Sequence, residues 1–183
     1  MGRQWYEDGK LLHKRNTFTD FVSCGEHLVE TGVTAPTLMV AEGGSAGGLL
    51  MGAVTNLAPG LFAGILAGVP FVDALTTILD PSLPLTVIEW DEWGDPLHDP
   101  DVYAYMKSYS PYENVRDGVE YPRILAVTSL NDTRVLYVEP AKWVARLREA
   151  GAKDVLLKCE MVAGHGGVSG RYNSWKERAF ELA

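Results

Sequence analysis

Gly43-Gly44-Ser45-Ala46-Gly47 matches the spacing G-x-S-x-G, in which a serine is set up to attack a carbonyl carbon. Glycines at the outer positions let the chain reverse sharply from strand to helix, where a Cβ would collide with neighbouring backbone. The reversal pushes the serine hydroxyl outward. A helix leading away from such a turn aims its unpaired N–H groups and positive dipole end at the spot where an oxyanion forms. A glycine-rich turn with an incidental serine has the same residues, so the flanking elements must decide. A serine at neutral pH also needs an imidazole to take its proton, and a carboxylate to fix that imidazole's tautomer and stabilise its charged form. Of the four histidines, His13 lies in a basic arm, His27 on an amphipathic segment as a surface side chain, and His98 in an acidic loop. His165, in Gly164-His165-Gly166-Gly167, follows an apolar run and has the matching address. Asp132, in Asn131-Asp132-Thr133-Arg134, is the candidate acid. An aspartate there also serves as a turn cap, and Asp154 is a second acid between strands.

The elements around these residues alternate. Residues 1–16 read as an irregular arm, and Thr17-x-x-Asp20 as a capping-box-like helix start, with the helix running to Gly32. Thr37 to Ala41 reads as a buried strand and Ala46 to Leu57 as a helix stopped by Pro59-Gly60, which supplies the strand–turn–helix context for Ser45. Leu61 to Val69 predicts a second strand, Val72 to Leu79 a short helix, and 80–100 a loop crowded with Pro, Trp, Asp and Glu. Arg123 to Ser129 predicts a third strand, Glu139 to Ala150 an amphipathic helix, Val155 to Met161 a fourth strand, and Arg171 onward a last helix. Such alternation implies a parallel sheet covered on both faces, with chemistry at the carboxyl ends of its strands. Ser45, Asp132 and His165 all follow predicted strand ends, in the chain order Ser, Asp, His of the α/β-hydrolase fold.

The bulk properties narrow the function further. The 183 residues suit one domain, and a net charge of −8 without a Lys/Arg cluster argues against nucleic acid. The most apolar stretch, Leu61 to Leu79, is interrupted by Gly, Pro and Asp, so no membrane span or membrane partner is expected. Cys24 and Cys159 are far apart in apolar-patterned segments and read as reduced core cysteines, and the N-terminus does not resemble a signal peptide. Both point to a cytoplasmic protein. With neither a metal-ligand spacing nor a G-x-x-x-x-G-K loop, no cofactor is expected.

Several further motifs carry a resemblance. Gly2-Arg-Gln-Trp-Tyr6, Asn16-Thr-Phe-Thr-Asp-Phe21, Gly43 to Gly48, Ser110-Pro-Tyr112, Asn131-Asp-Thr-Arg-Val135, Glu139-Pro-Ala-Lys-Trp143 and Gly164 to Gly167 together resemble the catalytic domain of the prolyl oligopeptidase family of serine peptidases, most of all its oligopeptidase B branch. The resemblance implies Ser45 as nucleophile, Asp132 as orienting acid and His165 as general base, with short peptides cleaved after Arg or Lys. It implies that Glu89 and Asp91, in Ile88-Glu-Trp-Asp-Glu-Trp-Gly94, hold the basic side chain of the substrate. Relatives usually carry a second Glu at the position of Asp91. Carboxylates with Trp90 and Trp93 beside them suit a guanidinium, which takes paired hydrogen bonds and stacks on aromatic rings.

The chain also departs from the family. The propeller that precedes the catalytic domain has no counterpart here, and the family sheet has about twice as many strands as the four read above. Residues 1–183 are therefore expected to be a partial α/β-hydrolase catalytic domain, about the second half of its sheet with flanking helices. The strand before Ser45 becomes an edge, which invites self-association. A tyrosine that donates to the oxyanion in the family lies outside the matched region, leaving the Ala46 N–H. The isolated chain is expected to be weakly active or inactive. Two rivals remain on the sequence alone: an esterase on the same fold, and a non-catalytic fragment that associates through its open edge.

Overall fold

The computed structural model describes residues 2–183. A short helix, α1 (Arg3–Glu7), and a 3₁₀ turn (Leu11–His13) lead into α2 (Arg15–Glu30). After a 3₁₀ turn at Pro36–Leu38 come β1 (Val40–Gly44), α3 (Ala46–Leu57) and β2 (Gly64–Gly68). Three helices follow: α4 (Ala74–Ile78), α5 (Thr86–Trp93) and α6 (Pro100–Lys107). A 3₁₀ turn at Tyr112–Asn114 precedes β3 (Arg123–Ser129), α7 (Val138–Glu149), β4 (Val155–Glu160) and α8 (Arg171–Leu182).

The four strands pair in parallel in the order β1-β2-β3-β4. Register places Ala41, Ile65, Ile124 and Val155 in one row across the sheet, and all four side chains are buried. That row belongs to the face covered by α3 and α7, where Leu49, Met51, Val54, Trp143, Val144 and Leu147 complete the core. The next row is Glu42, Leu66, Leu125 and Leu156, and there Leu156 is 62% exposed. The expected coverage of both faces is thus met on one only. Along the second face α8 buries none of its residues.

Other expectations need correcting. The arm is not irregular over its described residues, 2–16: α1 is held by the i,i+4 pair Arg3–Glu7 at 2.5 Å and by Gln4 donating to Asp8 at 2.8 Å. Helix α2 starts at Arg15 without a side-chain cap, and the Thr17 hydroxyl donates to the Gly9 carbonyl instead. Pro36 turns the chain before the first strand, so β1 begins at Val40, later than read. The segment 80–100 holds α5, and Asp99-Pro100 starts α6, the Asp99 carboxylate accepting from the N–H groups of Asp101 and Val102. Cys24 is exposed and Cys159 half-buried, so neither is a core residue; both are free thiols.

Candidate active site

Ser45 sits between the end of β1 and the start of α3 with φ 57° and ψ −117°, a strained conformation for a residue with a side chain. Neighbouring backbone holds it there. Its N–H donates to Gly68 O at 2.9 Å, and its carbonyl accepts from Phe71 N at 3.1 Å as well as from Gly48 and Leu49 in the first turn of α3. A Cβ on Gly43 would stand 2.4 Å from Gly47 O, so that glycine is obligatory. At Gly47 an added Cβ meets nothing within 4 Å, against the expectation of crowding at both outer glycines. The close approach lies one residue on, where a Cβ on Gly48 would stand 2.4 Å from Pro70 Cα. Gly48 lets α3 press against the turn that follows β2.

Asp132 lies in the loop after β3, its side chain fully buried. Its two oxygens divide the work. Oδ1 accepts from the N–H groups of Arg134 at 2.9 Å and Val135 at 3.0 Å, which is the turn-capping role. Oδ2 meets His165 Nδ1 at 2.7 Å. A carboxylate only accepts, so Nδ1 carries the proton and Nε2 is left as the basic nitrogen. The imidazole is held in a tight turn between β4 and α8, where Gly167 N donates to Gly164 O and Gly167 has φ +73°. Asp154 is exposed, 3.7 Å from Arg123. Among the described residues, no hydrogen bond joins the His165 ring to the Ser45 hydroxyl. Geometry therefore pairs His165 with Asp132 and brings Ser45 to the same rim of the sheet, since the residues after Asp132 face the elbow across a cavity.

That cavity has a volume of about 120 Å³ and is lined by Ser45 and Ala46, by Phe71, Thr77 and Ile78 beyond β2, by Thr86, Glu89 and Trp93 of α5, and by Thr133 to Leu136. Glu89 Oε2 accepts from Trp93 Nε1 at 2.8 Å. Trp93 is itself clamped, with Phe71 at 5.5 Å on one side and the buried Lys14 ammonium 4.5 Å from its ring centre. Lys14 Nζ in turn donates to Glu92 at 2.8 Å. Asp91 does not join Glu89: it is exposed and outside the cavity lining. Read as a loop, the segment lets both carboxylates converge. As a helix, residues two apart are turned about 200° from each other. Trp90 is likewise turned away, its Nε1 donating to Ile78 O at 3.3 Å.

Sequence reasoning passed over Glu139, a fully buried carboxyl in the first turn of α7. Burial pushes its pKa up to about 7, against the hydrogen bonds from Thr77 and the backbone, and the neighbouring Asp73 charge raises it further. At a helix start an acidic residue ordinarily reads as a solvated partner of the helix dipole, so the sequence carried no signal of its burial. No group of three or more His, Cys, Asp or Glu among the described residues is placed to hold a metal ion. No described helix is long and apolar enough to cross a membrane.

The profile of the prolyl oligopeptidase family matches residues 1–183, the whole chain. The chain belongs to this family. Among curated relatives, Protease 2 of Moraxella lacunata is 58% identical over 185 residues, a match covering 100% of this chain and 26% of the relative. Dipeptidyl aminopeptidase BI of Pseudoxanthomonas mexicana is 52% identical, covering 98% of this chain and 25% of the relative. Among solved structures, oligopeptidase B from Trypanosoma brucei with covalently bound antipain superposes with a TM-score of 0.95 at 51% identity, covering 100% of this chain and 26% of that one. The chain thus spans about a quarter of the length of the relatives it matches. As a member of the prolyl oligopeptidase family it has an α/β-hydrolase fold, of which four parallel strands are present here.

Proposed function

We propose that this chain is the nucleophile-bearing part of an oligopeptidase B-like serine peptidase that cleaves short peptides after Arg or Lys. The observation that carries the reading is the Glu89 carboxylate in the wall of the cavity that opens at Ser45. A carboxylate beside a nucleophile, backed by the indole of Trp93, is complementary to a guanidinium or ammonium. Once such a side chain enters, the scissile carbonyl lies over Ser45. His165 Nε2 takes the Ser45 proton as Oγ attacks, and Asp132 stabilises the imidazolium without accepting the proton. The Ala46 N–H, at the positive end of α3, donates to the oxyanion. His165 then protonates the leaving amine, and water hydrolyses the acyl-enzyme by the reverse sequence. The imidazole must approach the Ser45 hydroxyl when substrate binds, as catalytic hydrogen bonds commonly tighten in the substrate complex. That a relative in the same fold holds antipain covalently supports a covalent route.

Residues 1–183 act, in this reading, as part of a longer catalytic domain. The isolated chain turns substrate over weakly or not at all, because a triad needs its scaffold rigid to about 0.5 Å. Self-association through the β1 edge fits the exposed Val40 in that strand and Leu38 just before it. The two free thiols fit a reducing, cytoplasmic setting.

The test compares an Arg-containing amide with a p-nitrophenyl ester, using the longest protein that contains this chain. Glu89→Gln is expected to lower kcat/KM for the Arg amide roughly 30-fold or more, the factor that about 2 kcal/mol represents, while ester turnover holds. Turnover of the ester alone, indifferent to Glu89→Gln, sinks the peptidase reading in favour of an esterase.

A further inference from the structure

Beneath the cavity wall lies a group of buried charges that the mechanism does not use. Glu139, at the start of α7, reaches across to the segment after β2: Oε2 accepts from Asp73 N at 3.0 Å and Oε1 from Thr77 Oγ1 at 2.7 Å. Thr77 lines the cavity beside Ser45. Its carbonyl accepts from the buried hydroxyl of Thr86 at 2.9 Å, and Thr86 is the first residue of α5, the helix that carries Glu89 and Trp93. At the other end of the same segment, Phe71 N donates to the Ser45 carbonyl.

We propose that Glu139 is a positioning residue for the substrate pocket: its two oxygens fix the 71–78 wall, and through Thr77 and Thr86 they set where α5 presents Glu89. The proposal rests on the peptidase reading above and names the device that shapes its specificity pocket.

A core position gains nothing from a carboxyl that an apolar side chain would not supply. Burying a carboxylate is costly unless each oxygen finds a donor. Here both do, and both donors lie on the 71–78 segment. The surroundings are unusually acidic. Beside Glu139 lies the Asp73 carboxylate after β2, and around Asp73 stand Lys142, one turn along α7, and Glu113 of the 3₁₀ turn before β3. Asp73 Oδ2 pairs with Lys142 Nζ, whose ammonium stands 4.5 Å from the centre of the Tyr112 ring. Asp73 Oδ1 and Glu113 Oε2 are buried without a partner. Asp73 and Glu113 thus share one ammonium, with Glu139 beside Asp73. Burial raises Glu113 as well as Glu139, so the cluster keeps a proton toward neutrality. Ionised Glu139 accepts from both donors; protonated, it gives up part of that capacity. The wall is therefore held more firmly as Glu139 loses its proton, and affinity for a basic side chain rises as pH is raised through neutrality.

The test uses the longest protein that contains this chain. Three quantities are measured for the parent, Glu139→Gln and Thr77→Val: kcat and KM for an Arg amide, the rate of Ser45 labelling by a fluorophosphonate, and agmatine affinity across neutral pH. Glu139→Gln, which puts a donor where one acceptor stood, is expected to raise KM about tenfold and flatten the pH dependence of agmatine binding, with the labelling rate retained. Thr77→Val removes only the hydroxyl and reproduces part of the KM rise. Unchanged KM and pH dependence in Glu139→Gln overturn the proposal. If Glu139→Gln does not fold, Thr77→Val decides, and a parental KM there overturns it too. A parent without preference for Arg brings down the peptidase reading together with this proposal. A parent that prefers Arg and loses the preference in Glu89→Gln but not in Glu139→Gln brings down this proposal alone.

Discussion

Helices α3 and α8 each have 12 residues, yet α3 buries eight of them and α8 none. The sequence of α3 is small and apolar, and its glycines let it approach other segments closely: a Cβ on Gly52 would stand 2.6 Å from Pro111, as one on Gly48 would from Pro70 at 2.4 Å. Helix α8 carries charges around its circumference and leaves Tyr172, Trp175, Phe180 and Leu182 exposed. It is tied to the sheet by Arg178, whose guanidinium meets both oxygens of Glu42 at 2.6 and 2.8 Å, and by Lys158–Glu177 at 3.7 Å. Exposed pairs of that kind contribute little to stability. Ser45 is anchored to the first helix and His165 lies on the loop leading to the second. Ser45 is therefore placed by close packing, and His165 by a single hydrogen bond to a buried carboxylate.

If that contrast holds, Asp132→Asn is the most damaging change. The amide oxygen can still accept from Arg134 and Val135, so the turn survives. The bond that sets the His165 tautomer does not, and kcat for the Arg amide is expected to fall ~10⁴-fold with little change in melting temperature. Retained activity breaks the comparison, because packing of the His165 loop must then suffice.

Next in size is a pair of tryptophans. Trp143 in α7 is fully buried, whereas Trp175 in α8 is 61% exposed. In denaturant unfolding, Trp143→Ala is expected to cost about 3–5 kcal/mol and Trp175→Ala no more than about 0.5 kcal/mol. A large loss at Trp175 means that α8 packs better in solution than here, and the division between the halves fails.

The smallest effect is that of pH. Glu139 is raised from the ordinary 4.5 to about 7. Between those values the folded chain keeps a proton that the unfolded chain has released, so this group's contribution to stability falls as pH rises across that window. The expected slope is on the order of 1 kcal/mol per pH unit at its steepest, read from denaturation midpoints, and Glu139→Gln should remove it. A slope that survives Glu139→Gln places the titrating group outside this buried site and breaks the comparison.

Much of the architecture was legible because it is local. Ala46–Leu57 and Arg123–Ser129 have the bounds that hydrophobic run length and the bordering Gly and Pro residues indicate. The region 80–100 misleads by composition: α5 has only eight residues, too few for a clear period, and Pro, Asp and Trp suggest a loop. The Asp99-Pro100 cap was present and went unread. Glu89 and Asp91 both come from the resemblance, and the helix that separates them has no clear signal in the sequence. Gly47 shows the limit of motif reasoning, since the G-x-S-x-G pattern does not reveal that the crowded position here is Gly48, pressed by a proline that lies 22 residues farther along the chain.

The sequence by itself determined the short-range chemistry: a strained serine between strand and helix, an aspartate and a histidine after later strands, and the order in which they come. Those features depend on spacing within a few residues, where backbone sterics act directly. Only the tertiary structure decided which acid the histidine meets, that Glu89 rather than Asp91 faces the serine, and that Glu139 is buried. Its two bonds cross 66 and 62 residues of chain. Whether a charge is solvated or desolvated depends on what distant segments pack around it, and no local pattern records that.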